Sequence, residues 1–149
     1  MKETDKAVIQ FLGYRVSEIS YKCPVTLDFP KDAKVSCNMN FSKALVRISE
    51  TRVQEKLRGN LWHTVDGQNT DYKISVELNG QFEISDPWNP AWETNMLAIL
   101  FPYLRSIVST VTGLTGREPI IIPTINIANA FGNERDEIIG DSSDKASAE

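Results

Sequence analysis

A chain of 149 residues is long enough to bury one hydrophobic core and too short for two ordinary domains. Its 16 Lys and Arg against 20 Asp and Glu give a net charge of −4, and this excess lies after Phe131, where six acids face two bases. Because the rest of the chain is neutral and has no basic stripe, composition argues against nucleic acid as a partner. The sequence predicts a single domain over residues 1–131 and an acidic, flexible tail over residues 132–149.

The lack of a predicted signal peptide and the isolated cysteines both point to a reducing compartment. The opening MKETDKAV lacks the apolar core of a signal peptide, and the one dense apolar run is cut by prolines and too short to insert in a bilayer. Cys23 and Cys37 stand alone, without a CxxC pair, so we predict reduced thiols packed within strands. These features predict a soluble, cytoplasmic protein.

The first predicted element is a long strand with a bend. Leu12, Tyr14 and Val16 have even numbers, whereas Ile19 and Tyr21 have odd numbers. Because alternate residues of a strand point to opposite faces, this change of parity predicts a bulge near Ser17 and Glu18. The connection that follows, residues 22–34, is too long for a hairpin turn and unusually apolar for a loop.

Three further stretches predict the rest of an antiparallel sheet. Residues 35–41 alternate between apolar and polar, residues 44–65 are predicted to be mostly strand, and residues 72–84 alternate strictly. Such alternation places one face of a sheet on a core and the other in water. The next segment, DPWNPAW at residues 86–92, carries Trp88 and Trp92 and is predicted to close one end of the core.

A helix is predicted next, because apolar residues recur at steps of three and four. Thr94 or Asn95 is predicted to cap its start, and Gly113 or Gly116 to end it. Pro102 is predicted either to kink the helix or to mark its first turn. The residues on the periodic face are Leu97, Leu100, Leu104, Ile107 and Val111.

The helix is apolar on a second side as well, at Ile99 and Tyr103, which predicts packing on its own sheet and on another surface. Residues 120–127 then supply five isoleucines, interrupted by Pro123. Proline excludes a central strand, so we predict an extended edge or an irregular segment. Together the elements predict an α+β fold.

Catalytic side chains are scarce. His63 is the single histidine and the two cysteines are unpaired, so a zinc site or a Cys-His or Ser-His-Asp mechanism lacks its residues. The acidic neighbours Glu50 and Glu55 are predicted to be solvated at strand ends, and GLTG at residues 113–116 is predicted to end a helix rather than to bind phosphate. We therefore expect no enzyme activity, no cofactor and no metal.

Four segments, in this order and at this spacing, resemble the SecB-type protein-export chaperones. They are EISYKCP at residues 18–24, GQFEI at residues 80–84, a stretch ending in LFPYLR at residues 100–105, and PTINIANAF at residues 123–131. The pairing of LFPYLR with PTINIANAF is the most specific part. The resemblance spans roughly residues 8–131.

The resemblance implies a four-stranded antiparallel sheet packed with a long helix, assembled through sheet and helix contacts into dimers and a dimer of dimers. It implies a chaperone that binds unfolded preproteins in an apolar groove and delivers them to the SecA motor. By this likeness, one groove wall contains Leu27 and Phe29, and the other Ile125, Ile127 and Phe131. The subunit interface would contain Ile99, Tyr103, Leu104 and Ile107.

The chain departs in two places, at Lys22 and after Phe131, from the pattern that the resemblance implies for SecA binding. Glu18 matches one acid of the sheet surface and is the expected SecA contact, but Lys22 stands where another acid is expected. After Phe131 the expected apolar helix is replaced by GNERDEIIGDSSDK.

Three functions therefore remain open. The first is a chaperone of the Sec export pathway. The second keeps the fold and changes the client to one dedicated partner, such as an antitoxin, for which Lys22 and the altered tail are the reasons. The third is a non-catalytic α+β module that binds a ligand or serves a structural role, with apolar patches that are only subunit contacts.

Overall fold

Four long strands form one antiparallel sheet, and a long helix covers one of its faces. The computed structural model describes residues 8–25, 31–85, 88–116 and 118–131. The strands lie in the order β1-β4-β3-β2, which confirms the predicted fold class. The elements are β1 (Ile9–Lys22), β2 (Val35–Arg47), β3 (Arg52–Val65), β4 (Gln68–Ile84), α1 (Ala91–Gly113) and the short α2 (Ile127–Phe131).

The register of the sheet is set by a tight turn between β3 and β4. Val65 pairs with Gln68, leaving a two-residue loop of Asp66 and Gly67. Both loop residues have positive φ, 51° and 83°, as a two-residue hairpin whose twist matches its strands requires. This register brings the alternating apolar residues of both strands to one face, which α1 covers. The opposite, polar face is called the outer face below.

The core lies between α1 and the strands β3 and β4. Gly80 allows the helix to approach closely, because a Cβ at this position would lie 2.6 Å from Cδ2 of Leu100. Tyr72, Ile74, Val76, Leu78, Phe82 and Ile84 of β4 are buried here, with Val53, Leu57 and Leu61 of β3. Glu55 of β3 is also fully buried on this face, so the prediction that it is solvated was wrong.

Helix α1 starts earlier than the sequence predicted. It begins at Ala91 after Pro90, and the backbone N–H of Ala91 is hydrogen-bonded by Oδ1 of Asn89 at 3.0 Å. Thr94 and Asn95 therefore lie inside the helix as exposed residues, and the predicted cap was wrong. The helix ends at Gly113, as predicted, and Pro102 sits in its middle on an exposed position rather than in its first turn.

By length and composition alone, α1 is apolar enough to cross a membrane. Its apolar character has another explanation in this fold, because one side of it is the helical half of the core. The buried residues of α1 are Met96, Leu97, Leu100, Phe101, Leu104, Val108 and Thr112.

Strand β1 contains the predicted bulge and a second one. The pairing with β4 shifts between Val16 and Glu18, where the change of parity was found. It also shifts between Phe11 and Gly13, and Gly13 has a φ of 128° that favours glycine. The stretch 44–65 is strand as predicted, interrupted by the turn that joins β2 to β3. Cys37 is exposed, so its predicted burial was wrong, whereas Cys23 is half-buried.

Candidate functional site

An apolar surface remains open beside β1, because a single helix does not cover a sheet of four strands. Tyr14, Val16 and Ile19 of β1 point to the helix side but are 36, 40 and 48% exposed. Tyr103 of α1 packs on Tyr14, with the two ring centroids 4.4 Å apart. We call these four residues the apolar strip.

The apolar strip borders an edge of the sheet. β1 pairs only with β4 within the described residues, so the backbone groups on its other side have no strand beside them. A long edge strand with apolar neighbours is a surface on which another polypeptide can pair. The strip and this edge form one continuous face.

The four residues predicted at a subunit interface divide into two groups. Ile99, Tyr103 and Ile107 are partly or largely exposed on α1. Leu104 instead is fully buried in the core of its own chain. It packs so closely on Gly59 that a Cβ added to this glycine would lie 3.1 Å from Cδ2 of Leu104. Of the four predicted interface residues, the other three are therefore the ones that solvent reaches on α1.

A second apolar surface follows α1, where residues 118–126 run back along the helix without forming a strand. Side chains of α1 fix this segment. Arg105 donates from Nε to the carbonyl of Ile122 at 2.9 Å, and Ser109 donates to the carbonyl of Ile120 at 3.0 Å. Buried Thr112 accepts the N–H of Ile120 at 2.9 Å. We call residues 118–126 the exit segment.

The exit segment alternates between anchored and open side chains. Ile120 and Ile122 are buried, whereas Ile121 between them is 65% exposed. Farther on, Ile125 and Ile127 are half-buried against the edge of the core. Hydrogen bonds to α1 hold the backbone at Ile120 and Ile122, so Ile121 projects from a fixed backbone. Together with the half-buried Ile125 and Ile127 it forms an apolar ridge.

Of the predicted groove residues, the structure describes three. Ile125 and Ile127 lie on the ridge just described. Phe131 is buried, with its ring 6.2 Å from that of Phe101, which in turn lies 5.0 Å from Phe41 of β2. Leu27 and Phe29, the predicted opposite wall, lie outside the described residues, as does the tail 132–149.

The outer face of the sheet is polar and laced with ion pairs. Arg58 is central to it, with Nη1 2.9 Å from Oε1 of Glu18 and 3.3 Å from Oε1 of Glu77. The hydrogen bond to Glu18 is the main cause that raises the pKa of Arg58 above its usual value. Lys22 lies 3.9 Å from Asp71. Glu18, the predicted SecA contact, is thus already paired with a cation of its own sheet.

The outer face also holds a shallow basin of about 630 Å³, which sequence reasoning missed. Three cations and three carboxamides from neighbouring strands meet there. A signal for it exists in β3, where cationic and amide residues occupy alternate positions, but the register with β1 and β4 is needed to assemble it. We call it the outer basin; the outer-face residues that line it are Arg15, Ser17, Arg52, Gln54, Lys56, Asn79 and Gln81.

A cavity of about 450 Å³ lies where β2 meets the start of α1. Lys43 and Glu93 line it and are joined at 2.9 Å, with side chains only 11 and 19% exposed. Trp88 forms a wall, with the guanidinium carbon of Arg47 5.7 Å from its ring centroid and the ring of Trp92 6.0 Å away. The two tryptophans thus close an end of the core, as the sequence predicted.

The described part of the chain contains no group of three His, Cys, Asp or Glu side chains that could hold a metal ion. His63 is half-buried, with its ring edge-on to that of Tyr72 at 4.4 Å. The expectation of a protein without enzyme activity therefore rests on the residues and on the fold, and it stays an expectation.

Comparison with known proteins gives a fold and one uncharacterized relative. No family model matches the sequence. The chain is 29% identical over 143 residues to the uncharacterized protein MJ0357 of Methanocaldococcus jannaschii, covering 89% of this chain and 88% of that protein. Among solved structures it is similar to the SecB-like chaperone Rv1957 of Mycobacterium tuberculosis, in complex with a ChAD peptide from the Rv1956 HigA1 antitoxin. The TM-score is 0.64 at 16% identity, over 78% of this chain and 90% of that one. The chain therefore has the fold of a SecB-like chaperone.

Proposed function

We propose that the protein is a cytoplasmic molecular chaperone that binds an unfolded polypeptide on apolar surface beside α1. The observation that carries the proposal is the exit segment, where Ile121 is largely exposed on a backbone that Arg105 and Ser109 hold in place. A fixed apolar ridge binds extended chains without demanding one sequence, at about 25 cal/mol per Å² buried, offset by ordering of the client.

The apolar strip has a different role in this proposal. A second copy pairs along the free edge of β1 and covers Tyr14, Val16 and Ile19, with Tyr103 at the same contact. In a monomer the exposed apolar residues and the unpaired backbone of β1 both favour aggregation. Pairing with a second copy buries the apolar residues and satisfies the backbone. The homo-oligomer, with a dimer of dimers as the expected form, leaves the exit segment available to a client.

For the client, a single dedicated partner such as an antitoxin is the first candidate. Two observations favour it over general export. The similar chaperone Rv1957 is in complex with an antitoxin peptide. On the outer face of this chain, Glu18 is paired with Arg58, and Lys22 stands beside Asp71. A partner that binds these carboxylates, as the resemblance implies for SecA, would have to compete with cations of the sheet itself.

Delivery of preproteins to SecA is the second candidate, supported by the resemblance of LFPYLR and PTINIANAF to the export chaperones. A panel of clients separates the two. An export chaperone binds several chemically unfolded, slow-folding preproteins with similar affinity, whereas a dedicated one binds one partner far more tightly than all others.

The test of the shared proposal is size-exclusion chromatography with light scattering, with and without unfolded client. We expect an oligomer that co-elutes with the unfolded chain, keeps it soluble and ignores the same chain once folded. The clients tested include the whole panel and the product of any adjacent antitoxin gene. An oligomer that binds none of them would leave only the third function, a ligand-binding or structural module.

A further inference from the structure

The outer face is the surface that the proposed function leaves unused, and its charge is the reverse of what SecA binding implies. The pleat and the register assign ten charged side chains of β1, β3 and β4 to this face. They are the six cations Arg15, Lys22, Arg52, Lys56, Arg58 and Lys73 and the four anions Glu18, Asp71, Glu77 and Glu83. The face therefore carries a net charge of +2.

This positive charge is concentrated at the outer basin. Arg15, Arg52 and Lys56 line it, and none of its described lining residues is a carboxylate. The nearest acids hold two of these cations loosely, since Arg52 lies 3.8 Å from Glu83 and Lys56 lies 4.0 Å from Glu77. Long contacts between partly exposed side chains are weak, so these cations can exchange partners.

The rest of the lining suits a peptide. Gln54, Asn79 and Gln81 form a ladder of carboxamides, with Gln81 donating to Gln54 at 2.7 Å and Gln54 donating to Asn79 at 3.3 Å. Amide side chains offer both donors and acceptors to a polypeptide backbone, whereas the cations select carboxylates. The basin thus fits an extended, acidic segment of polypeptide.

This chain contains such a segment. Residues 132–149 hold six acids and two bases, a net charge of −4. Eighteen extended residues span up to about 60 Å, whereas the path from the helix layer around a four-stranded sheet to its outer face is about 25–30 Å. A segment attached to the same chain also has an effective concentration in the millimolar range, so weak contacts suffice.

We propose that the acidic segment 132–149 docks on the outer basin of its own chain, with carboxylates against Arg15, Arg52 and Lys56. The docked segment neutralises the positive face. An acidic partner reaches the outer face only by displacing it, and raised salt releases it because exposed charges are screened within about 8–10 Å.

The test is carbodiimide cross-linking of the full chain, which joins a lysine amine to a nearby carboxylate. Lys56 is the reporter, and its product with Glu77, 4.0 Å away, is the internal control. We expect peptides that join Lys56 to an acid of residues 132–149 at low salt, with a yield at least fivefold lower in 0.5 M NaCl. Absence of these peptides while the product with Glu77 forms would overturn the proposal.

A variant pair and an isotope mixture complete the design. Arg15→Gln with Arg52→Gln should reduce the yield severalfold, whereas Lys73→Gln, on the same face outside the basin, should leave it unchanged. Cross-linking a mixture of ¹⁴N and ¹⁵N chains separates the occupants: peptides of one isotope support docking within a chain, and mixed peptides as the main product would assign the basin to the tail of a second copy. None of these readouts depends on client binding.

Discussion

Lys43 of β2 and Glu93 in the first turn of α1 form an ion pair of 2.9 Å that is almost closed to solvent. It ties an edge strand to the start of the helix, beside the wall that Trp88 forms. Neutralising Glu93 removes a charge-assisted hydrogen bond from poorly solvated surroundings, where such a bond contributes more than it does at the surface.

Glu93→Gln should therefore lower the free energy of unfolding by about 1–2 kcal/mol, allowing for the residual exposure of both side chains. Urea denaturation at pH 7 measures it. Glu50→Gln, at an exposed position in the turn between β2 and β3, is the matched control and should change stability by less than about 0.5 kcal/mol. Equal stability of the two variants would show that the ion pair contributes nothing.

Gly80→Ala tests the close approach of α1 to the sheet. The added Cβ would lie 2.6 Å from Cδ2 of Leu100 and 2.9 Å from Cε1 of Phe82, so the helix or the rings must shift. We expect a loss of about 1–3 kcal/mol in the free energy of unfolding. In a Leu100→Ala background the same substitution should cost clearly less, because the obstructing side chain is gone. Additive effects of the two substitutions would contradict the contact.

Neighbouring residues of α1 should respond differently to the same charge. Leu104→Asp places a carboxylate in the core and should unfold the chain, since the burial costs several kcal/mol. Tyr103→Asp lies on the exposed apolar strip and should leave the helical circular dichroism intact while dissociating the oligomer. Light scattering reads the second effect. A folded Tyr103→Asp variant with unchanged mass would remove the strip from the subunit contact.

The client surface is tested on the exit segment. Ile121→Asp should weaken binding of an unfolded client at least tenfold without changing stability, because Ile121 is largely exposed. Thr124→Asp adds the same charge at another exposed position of the segment and should have a much smaller effect. If both variants bind equally, the isoleucine is not a contact.

Two phenylalanines predicted in the groove give a further comparison. Phe29→Asp is expected to weaken client binding and to leave the oligomer intact. Phe131→Asp should weaken binding too, but it should also lower the melting temperature, because the Phe131 ring packs on Phe101 in the core. Differential scanning fluorimetry beside the binding assay separates the two effects. A Phe131→Asp variant of unchanged stability would contradict this packing.

Much of the sheet could be predicted from the sequence because its signals are local. The strict alternation of residues 72–84 corresponds to β4, and the change of parity near Ser17 corresponds to the bulge in β1. The start of α1 was missed because Pro90 and Asn89 lie in a segment whose prolines and tryptophans indicated a loop.

The exposed surfaces were harder to predict because they depend on which part of the sheet each helix covers. Helical spacing grouped Leu104 with the buried residues and Tyr103 with another side, but it did not say where the four-stranded sheet ends under the helix. The outer basin depends on three strands in register, with Arg15 brought beside Lys56 by the pairing of β1, β4 and β3. No single stretch of sequence contains that information.

The hydrogen bonds from α1 to the exit segment connect the two proposed binding surfaces. Arg105, Ser109 and Thr112 hold the segment antiparallel to the helix, and the same helix contributes Tyr103 to the apolar strip. Any displacement of α1 on assembly is therefore also a displacement of Ile121. By reciprocity of linked equilibria, a client that binds one assembly state more tightly must favour that state by the same factor, so subunit exchange becomes a readout of client occupancy.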